Sequence, residues 1–140
     1  MDIKSAYLNG TISEDIFMRQ PKGYEEPGKE YMVAKLKKGL YRLKQAGHEW
    51  YATLHEFLIN LGFHRMHADH SVFVFEWGHS TVILPVYVDD KLLAGNDNDL
   101  LNAIQKGISS CFKMADLGTA SWILGIQVRH DIKAGSLFIN

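Results

Sequence analysis

An acidic pair, Asp89 and Asp90, lies between two apolar segments, and this arrangement constrains the fold more than any other feature of the sequence. The segment 81–88 is almost wholly apolar, and 92–95 contains only apolar and small residues. We therefore predict a hairpin with both carboxylates at its tip and a first arm buried on both faces. Pro85 cannot donate a ladder hydrogen bond, which predicts either a bulge or a sheet edge within that arm.

The acidic pair has a structural and a chemical interpretation. Aspartate is common in turns, so the pair could be no more than the turn of a hairpin. Two like charges beside buried surface repel and resist desolvation, however, which favours a divalent cation as their partner. Mg²⁺ prefers oxygen ligands and often binds carboxylates together with substrate phosphates. Asp2, in a strand-like segment, could supply a third carboxylate, and three carboxylates can hold two ions for nucleotidyl transfer.

The rest of the sequence predicts one α+β domain. The chain has 140 residues, of which 46% are hydrophobic and 22% charged, as expected for a single globular core. Helical spacing predicts one helix over 50–61 that ends at Gly62, and a second that begins after a cap at Asp97 or Asn98. The predicted strands are 1–8 before an Asn9-Gly10 turn, a hairpin of 16–18 with 31–34, then 71–75 and 81–88, and a final hairpin with arms 122–128 and 136–139 around a turn at 133–135. This order resembles a split βαβ (ferredoxin-like) layout, with the helices on one face of an antiparallel sheet.

Charge and cysteine content narrow the function classes. No apolar run is long enough to cross a bilayer, so we expect an intracellular protein with no membrane partner. The net charge of −1 argues against an independent nucleic-acid-binding protein. The basic segment 35–44 could face a phosphate backbone, or it could be a solvated surface. Cys111 follows an apolar stripe and is expected to be a small core residue.

Several ordered blocks resemble the reverse transcriptases of copia-type retrotransposons. Tyr87-Val88-Asp89-Asp90 is similar to the polymerase signature, and the segment 1–10 is similar to the first-aspartate motif of this group. Further blocks match in the same order at 18–24, 36–51, 69–73 and 116–126. The resemblance therefore covers nearly the whole chain.

The resemblance implies a fold, an activity and partners. It implies that 1–140 is a single fragment of a polymerase palm, with about 10–46 as a partial fingers insertion containing a short β-hairpin, and with upstream fingers, thumb and ribonuclease H absent. It implies RNA-directed DNA polymerase activity with two Mg²⁺ or Mn²⁺ ions. The expected partners are an RNA or DNA template with primer, deoxynucleoside triphosphates and other parts of the Pol polyprotein, and the parent element is expected in a cytoplasmic virus-like particle. For the chain alone we favour an inactive transposon relic over a working enzyme, and a non-catalytic RNA-binding module is a further alternative.

The resemblance also assigns roles to individual residues. Asp2 and Asp89 would bind metal directly, Asp90 would be a supporting carboxylate, and the backbone of Ile3 would supply another oxygen ligand. Tyr7 would be the aromatic gate that excludes a 2′-hydroxyl, or else a packed core ring. Gln45 would contact the incoming nucleotide, or else it is simply an exposed residue at the start of a helix. Tyr87 would contact the primer end, or else it is a packed ring. Lys37, Lys38 and Lys44 would lie near nucleic-acid phosphates.

The sequence departs from the family pattern at three places. Arg42 stands where the family usually has glycine, so it would be strained if the backbone there has a positive φ. Lys91 stands where an apolar residue is usual, and 47–49 replaces a typical Pro-Arg-Ala. A separate alternative is a zinc site formed by His64, His67 and His70 with the intervening Asp69, which could equally be loop or surface residues.

Overall fold

The computed structural model describes residues 1–131 and 134–140, which form two α-helices and three antiparallel sheets. The helices are α1 (Ala46–Asn60) and α2 (Asn98–Cys111), and a 3₁₀ helix covers Ala6–Asn9. The strands are β1 (Asp2–Ile3), β2 (Phe17–Arg19), β3 (Val33–Lys35), β4 (His64–Arg65), β5 (Val72–Trp77), β6 (Ser80–Tyr87), β7 (Asp90–Lys91), β8 (Ala94–Gly95), β9 (Met114–Ala115), β10 (Trp122–Ile123), β11 (Ile126–Asp131) and β12 (Ser136–Ile139). This mixture of helices and antiparallel strands confirms the predicted α+β class.

The main sheet has the strand order β4-β5-β6-β7-β1-β9, with β8 also paired to β6. Both helices contribute to the single core that covers one face of this sheet. The core contains apolar side chains from α1, α2 and the central strands, among them Leu54, Leu58, Ile104, Ile108, Phe73, Val82 and Leu84. Among the described helices, none is long and apolar enough to span a membrane.

Both predicted helices are confirmed. Trp50 lies with Leu54 and Leu58 on the buried face of α1, and Gly62 follows the helix with a φ of +104°, which favours glycine. Asp97 caps α2, because its carboxylate accepts hydrogen bonds from the backbone N–H groups of Asp99 and Leu100. The prediction for Cys111 is wrong, since its side chain is exposed and Phe112, four residues after Ile108, takes the inward position instead.

The first predicted strand is wrong beyond Ile3. Ser5 adopts a left-handed conformation with a φ of +53°, which ends β1 and starts the 3₁₀ helix. The Asn9 amide then donates to the carbonyls of Ser5 and Ala6, so it stabilises this helical turn and does not join two strands. The β2–β3 hairpin is confirmed, one or two residues later than predicted.

The strand β6 differs from its prediction in two respects. Its buried side chains alternate, so only one face packs against the core, and Ile83 on the other face is exposed. Pro85 causes neither a bulge nor an edge. The register on its two sides is continuous, because Val86 pairs with Lys91 and Ile83 with Ala94. Pro85 accepts a hydrogen bond from Leu92 but cannot return one, which separates β7 from β8.

The C-terminal hairpin is a three-stranded sheet. The predicted arm 122–128 is interrupted at Leu124 and Gly125, whose φ values of +49° and +81° form a tight turn between β10 and β11. The strands β11 and β12 pair as predicted, from Asp131 opposite Ser136 onward. Lys133 of the predicted turn lies outside the described residues.

Candidate functional site

The acidic pair lies at a two-residue turn between β6 and β7. Tyr87 pairs with Asp90 across the hairpin, so Val88 and Asp89 form its tip. Val88 has a φ of +54°, and such a backbone in a β-branched residue costs about 1–3 kcal/mol and persists only when its surroundings impose it. Here the indole N–H of Trp50 donates to the Val88 carbonyl at 2.8 Å, and the backbone N–H of Ile3 donates to the Asp89 carbonyl at 3.0 Å.

The three predicted carboxylates come from distant parts of the sequence. Asp2 and Asp90 are direct cross-strand partners in the β1–β7 pair, so their side chains share a face and their Cβ atoms are about 5 Å apart. Ile3 is buried and faces the core, which places both carboxylates on the face of the sheet that the helices do not cover. Asp89 is exposed at the adjoining turn. The fold thus brings Asp2 and Asp90 together and places Asp89 at the turn beside them.

These residues fit a divalent cation in the type of their donors. Carboxylate oxygens are the ligands that Mg²⁺ and Mn²⁺ prefer, and two of the three carboxylates face each other directly. Across residues 1–131 and 134–140, however, no group of three acidic, histidine or cysteine side chains is arranged so that it could hold a metal ion. The same finding applies to the histidine-rich segment 64–70, where the Asp69 carboxylate accepts hydrogen bonds from Ser71. An ion at the turn would have to draw Asp89 toward the other two carboxylates.

Lys91 lies directly behind the carboxylates and was missed as a site residue. Its side chain is 3% exposed, and its ammonium donates to the carbonyls of Val88 and Asp89, each at 3.2 Å. The ammonium also lies 5.3 Å from the centre of the Trp50 ring. Burial lowers the pKa of Lys91 to about 8, although the charges of Asp89, Asp2 and Asp90 favour its protonated form. The unusual residue type at position 91 was visible in the sequence, but its burial was not.

A cavity of about 490 Å³ lies beside the turn. Its lining includes the carboxylate-bearing Asp89 and three tyrosines: Tyr7, Tyr41 and Tyr87. The Tyr7 and Tyr41 rings are 5.8 Å apart at an angle of 43°, and the Tyr41 ring is 77% exposed. Sequence reasoning selected Tyr7 and Tyr87 and missed Tyr41, whose only signal was its place within the basic block. The cavity therefore combines an acidic end with an aromatic wall.

The other predicted residues lie away from this cavity. Gln45 precedes α1, and its amide donates to the Glu14 carboxylate at 2.7 Å. The three lysines predicted at nucleic-acid phosphates, Lys37, Lys38 and Lys44, are exposed and none lines the cavity. Within the same block, Lys35 forms an ion pair with Asp15.

Arg42 has the positive φ that its glycine-like position suggested. Its φ is +70°, in the left-handed region where a side chain is strained. The Arg42 side chain is exposed, so no buried contact offsets this strain.

The chain is similar to polymerase sequences of mobile elements. The family model described as "Reverse transcriptase (RNA-dependent DNA polymerase)" matches residues 1–139. The Pol polyprotein of transposon TNT 1-94 from Nicotiana tabacum is 36% identical over 141 residues, which cover 100% of this chain and 11% of that protein. The Pol polyprotein of transposon RE1 from Arabidopsis thaliana is 39% identical over 130 residues, with 93% of this chain and 9% of that protein covered. The chain thus spans about a tenth of the length of these relatives, and no solved structure matches it.

Proposed function

The chain belongs to the reverse transcriptase family, and from this premise we propose that it carries the metal-binding part of an RNA-directed DNA polymerase palm of copia type. The observation that carries the proposal is the direct pairing of Asp2 with Asp90, next to Asp89 at a strained turn. Residues from distant parts of the sequence meet there, on a face that no helix covers. Such a face leaves room for a template and primer.

The order of elements supports a palm with the split βαβ layout. Along the chain, the main elements follow the order strand, helix, strand, strand, helix, strand, which are β1, α1, β5, β6, α2 and β9. In the sheet, β1 and β9 are neighbours on one side, and β5 and β6 are neighbours on the other. Both helices pack into one core. The β2–β3 hairpin, within the segment predicted as partial fingers, makes a separate two-stranded sheet.

The carboxylates would hold two Mg²⁺ or Mn²⁺ ions, with Asp2 and Asp89 as direct ligands, Asp90 as support and the Ile3 backbone as a further oxygen ligand. Bound there, the ions would activate a primer 3′-hydroxyl and stabilise the charge of the triphosphate and its leaving oxygen. The chain's own contribution is to fix the turn: Trp50 and Ile3 hold its two carbonyls so that Asp89 faces the cavity.

Two tyrosines and four polar residues would position the substrates. Tyr7 would form the wall that excludes a 2′-hydroxyl, which selects deoxynucleoside triphosphates, and Tyr87 would contact the primer end from the exposed face of β6. Lys37, Lys38 and Lys44 would contact template or primer phosphates. Gln45 would contact the incoming nucleotide through the part of its amide that does not bind Glu14.

An inactive relic of the same enzyme is the second candidate. Two observations favour it for this chain: the buried ammonium of Lys91 behind the carboxylates, and the lack of an already formed metal-binding group in the described residues. Both candidates share the same fold and differ only in activity.

Metal titration tests the first candidate. We expect the chain to bind Mn²⁺ weakly in calorimetry or in Mn²⁺ electron paramagnetic resonance, and Asp89→Asn to abolish that binding. Glu56→Gln, at an exposed acidic position on α1, is the matched control and should leave the titration unchanged. Equal binding by wild type and Asp89→Asn would contradict the carboxylate site. In the parent polyprotein, metal-dependent extension of a DNA primer on an RNA template separates the active enzyme from the relic.

A further inference from the structure

Lys91 is the one charged residue that is buried in the described part of the chain. It lies on β7 opposite Val86, on the face of the sheet that packs against the core. Its neighbour Asp90 lies on the opposite face beside Asp2. The ammonium and the Asp2–Asp90 pair therefore lie on opposite faces of the hairpin backbone.

The groups in direct contact with the ammonium are neutral. Two of its N–H groups are satisfied by the carbonyls of Val88 and Asp89, and its remaining side faces the Trp50 ring. Within residues 1–131 and 134–140 it makes no direct ion pair with a carboxylate. A buried cation without a directly paired anion acts on nearby charges through a medium of low polarity, where electrostatic interactions are strong.

We propose that Lys91 is a built-in counter-cation of the Asp2, Asp89 and Asp90 carboxylates, so that a divalent ion binds them more weakly than it would with an uncharged residue at position 91. This inference rests on the proposed function, since it takes those carboxylates as the metal site. The fixed charge partly compensates the mutual repulsion of the carboxylates when no ion is bound, and it repels an incoming ion. Because this charge is buried beside the carboxylates, we expect it to lower the affinity for a divalent ion about tenfold or more.

The charge of Lys91 also affects which form of the divalent ion binds to the carboxylates. A free divalent ion gains only carboxylate ligands and meets the repulsion of Lys91. An ion that arrives bound to a nucleoside triphosphate brings phosphate oxygens as further ligands, and the phosphates add negative charge that Lys91 favours. We therefore expect the site to prefer the complex of a divalent ion with a nucleoside triphosphate over the free ion.

The test is a Mn²⁺ titration of the 140-residue chain at constant pH and ionic strength. Lys91→Met removes the charge and the donors, whereas Lys91→Gln removes the charge and keeps a donor for the two carbonyls. Both should lower the Kd for Mn²⁺ about tenfold. Lys91→Arg keeps the charge and should stay within threefold of the wild type. Lys113→Met, which removes an exposed lysine next to β9, should change the Kd less than twofold.

The outcomes separate this inference from the proposed function. If the wild type binds Mn²⁺, Asp89→Asn does not, and neither neutral variant binds more tightly, Lys91 is not a counter-cation although the metal site stands. A change in Lys91→Met alone would assign the effect to the hydrogen bonds of the turn and would also overturn the inference. Binding by the neutral variants but not by the wild type would support it strongly. No binding by any of them would overturn the site and the inference together. Circular dichroism of each variant confirms that it is folded.

Discussion

The hairpin tip of the main sheet and the C-terminal sheet are both built from short antiparallel strands, but they are held in place differently. At the tip, Asp2 and Asp90 meet across strands from distant parts of the chain, and the turn is fixed by Trp50 of α1. Within the described part of the chain, the strands β10, β11 and β12 pair only with one another. Long-range contacts therefore fix a strained and charged turn in one region, while local pairing alone leaves apolar side chains exposed in the other.

The exposed side chains of the C-terminal sheet show the difference most clearly. They include Trp122, Leu124, Leu137, Phe138 and Ile139, each more than half exposed. In the main sheet, by contrast, Phe73, Val82 and Leu84 are fully buried. Burial, and with it the hydrophobic contribution to stability, is concentrated in the region that carries the carboxylates.

The largest expected effect follows from this difference in burial. Leu84→Ala should lower the free energy of unfolding by about 3 kcal/mol, because it leaves a cavity in the core. Leu137→Ala, in β12, should lower it by less than about 0.5 kcal/mol, because this side chain is 56% exposed. Urea unfolding followed by circular dichroism measures both. Similar losses for the two variants would break the comparison.

A smaller effect is expected from relief of backbone strain at the two tight turns. Val88→Gly should raise the free energy of unfolding by about 1 kcal/mol, because glycine adopts a positive φ without a steric penalty. Leu124→Gly, at the turn between β10 and β11, should raise it by about 0.5 kcal/mol, since only local pairing depends on that turn. Thermal unfolding in parallel with wild type decides the order. A loss of stability in Val88→Gly would mean that its side chain contributes more than its strain costs.

The cap of α2 should give a pH-dependent effect. Hydrogen bonds from the backbone N–H of Leu100, the hydroxyl of Ser80 and the N–H of Asp99 lower the pKa of Asp97 below its ordinary value of 3.8. A lowered folded-state pKa contributes stability above the unfolded value, and this contribution is lost as the pH falls through the folded value. Asp97→Ala should lower the Tm by about 3 °C at pH 7, with a smaller difference in strongly acidic solution.

Asp97→Asn is the matched control for this cap. Its side chain still accepts a hydrogen bond, but it does not titrate. Its stability should therefore change less than that of the wild type between pH 5 and pH 2. A constant difference between wild type and Asp97→Ala over that range would refute the role of the charge.

The smallest effect concerns Cys111, which the structure places at the surface. Cys111→Ser should change the free energy of unfolding by less than about 0.5 kcal/mol, since surface substitutions away from special features are usually neutral. The native chain should also react readily with a thiol reagent such as dithionitrobenzoate. A thiol that reacts only after unfolding would restore the core interpretation.

Much of the fold could be predicted because its signals are local. The helical spacing of Trp50, Leu54 and Leu58 and the cap at Asp97 identify α1 and α2 without knowledge of the rest of the chain. The strand β9 has only two residues and pairs with β1, from a distant part of the chain. No local pattern predicts it.

The site was predictable in part for the same reason. The carboxylates stand out as charges beside apolar segments, so Asp89 and Asp90 could be selected from residue type alone, and resemblance added Asp2. The burial of Lys91 depends on Trp50 of α1 and on the carbonyls of a strained turn, which are features of the tertiary structure. The hydrogen bond from Gln45 to Glu14 is likewise a tertiary contact, which no local pattern connects with either residue.

The two-residue strand β1 has a consequence for the order in which the molecule assembles. It lies between β7 and β9, and both partners are made long after it during synthesis. Pairing β1 with these strands closes long loops of the chain. Such closure is slow, because the chain loses conformational entropy before the stabilising contacts between the strands form. We therefore expect the Asp2 carboxylate to remain unpaired and hydrated while α1 and the β5–β6 hairpin form from local contacts. The acidic centre can form only after β7 has been made, so a nascent chain that stops before β7 carries Asp2 without the strand that pairs with it.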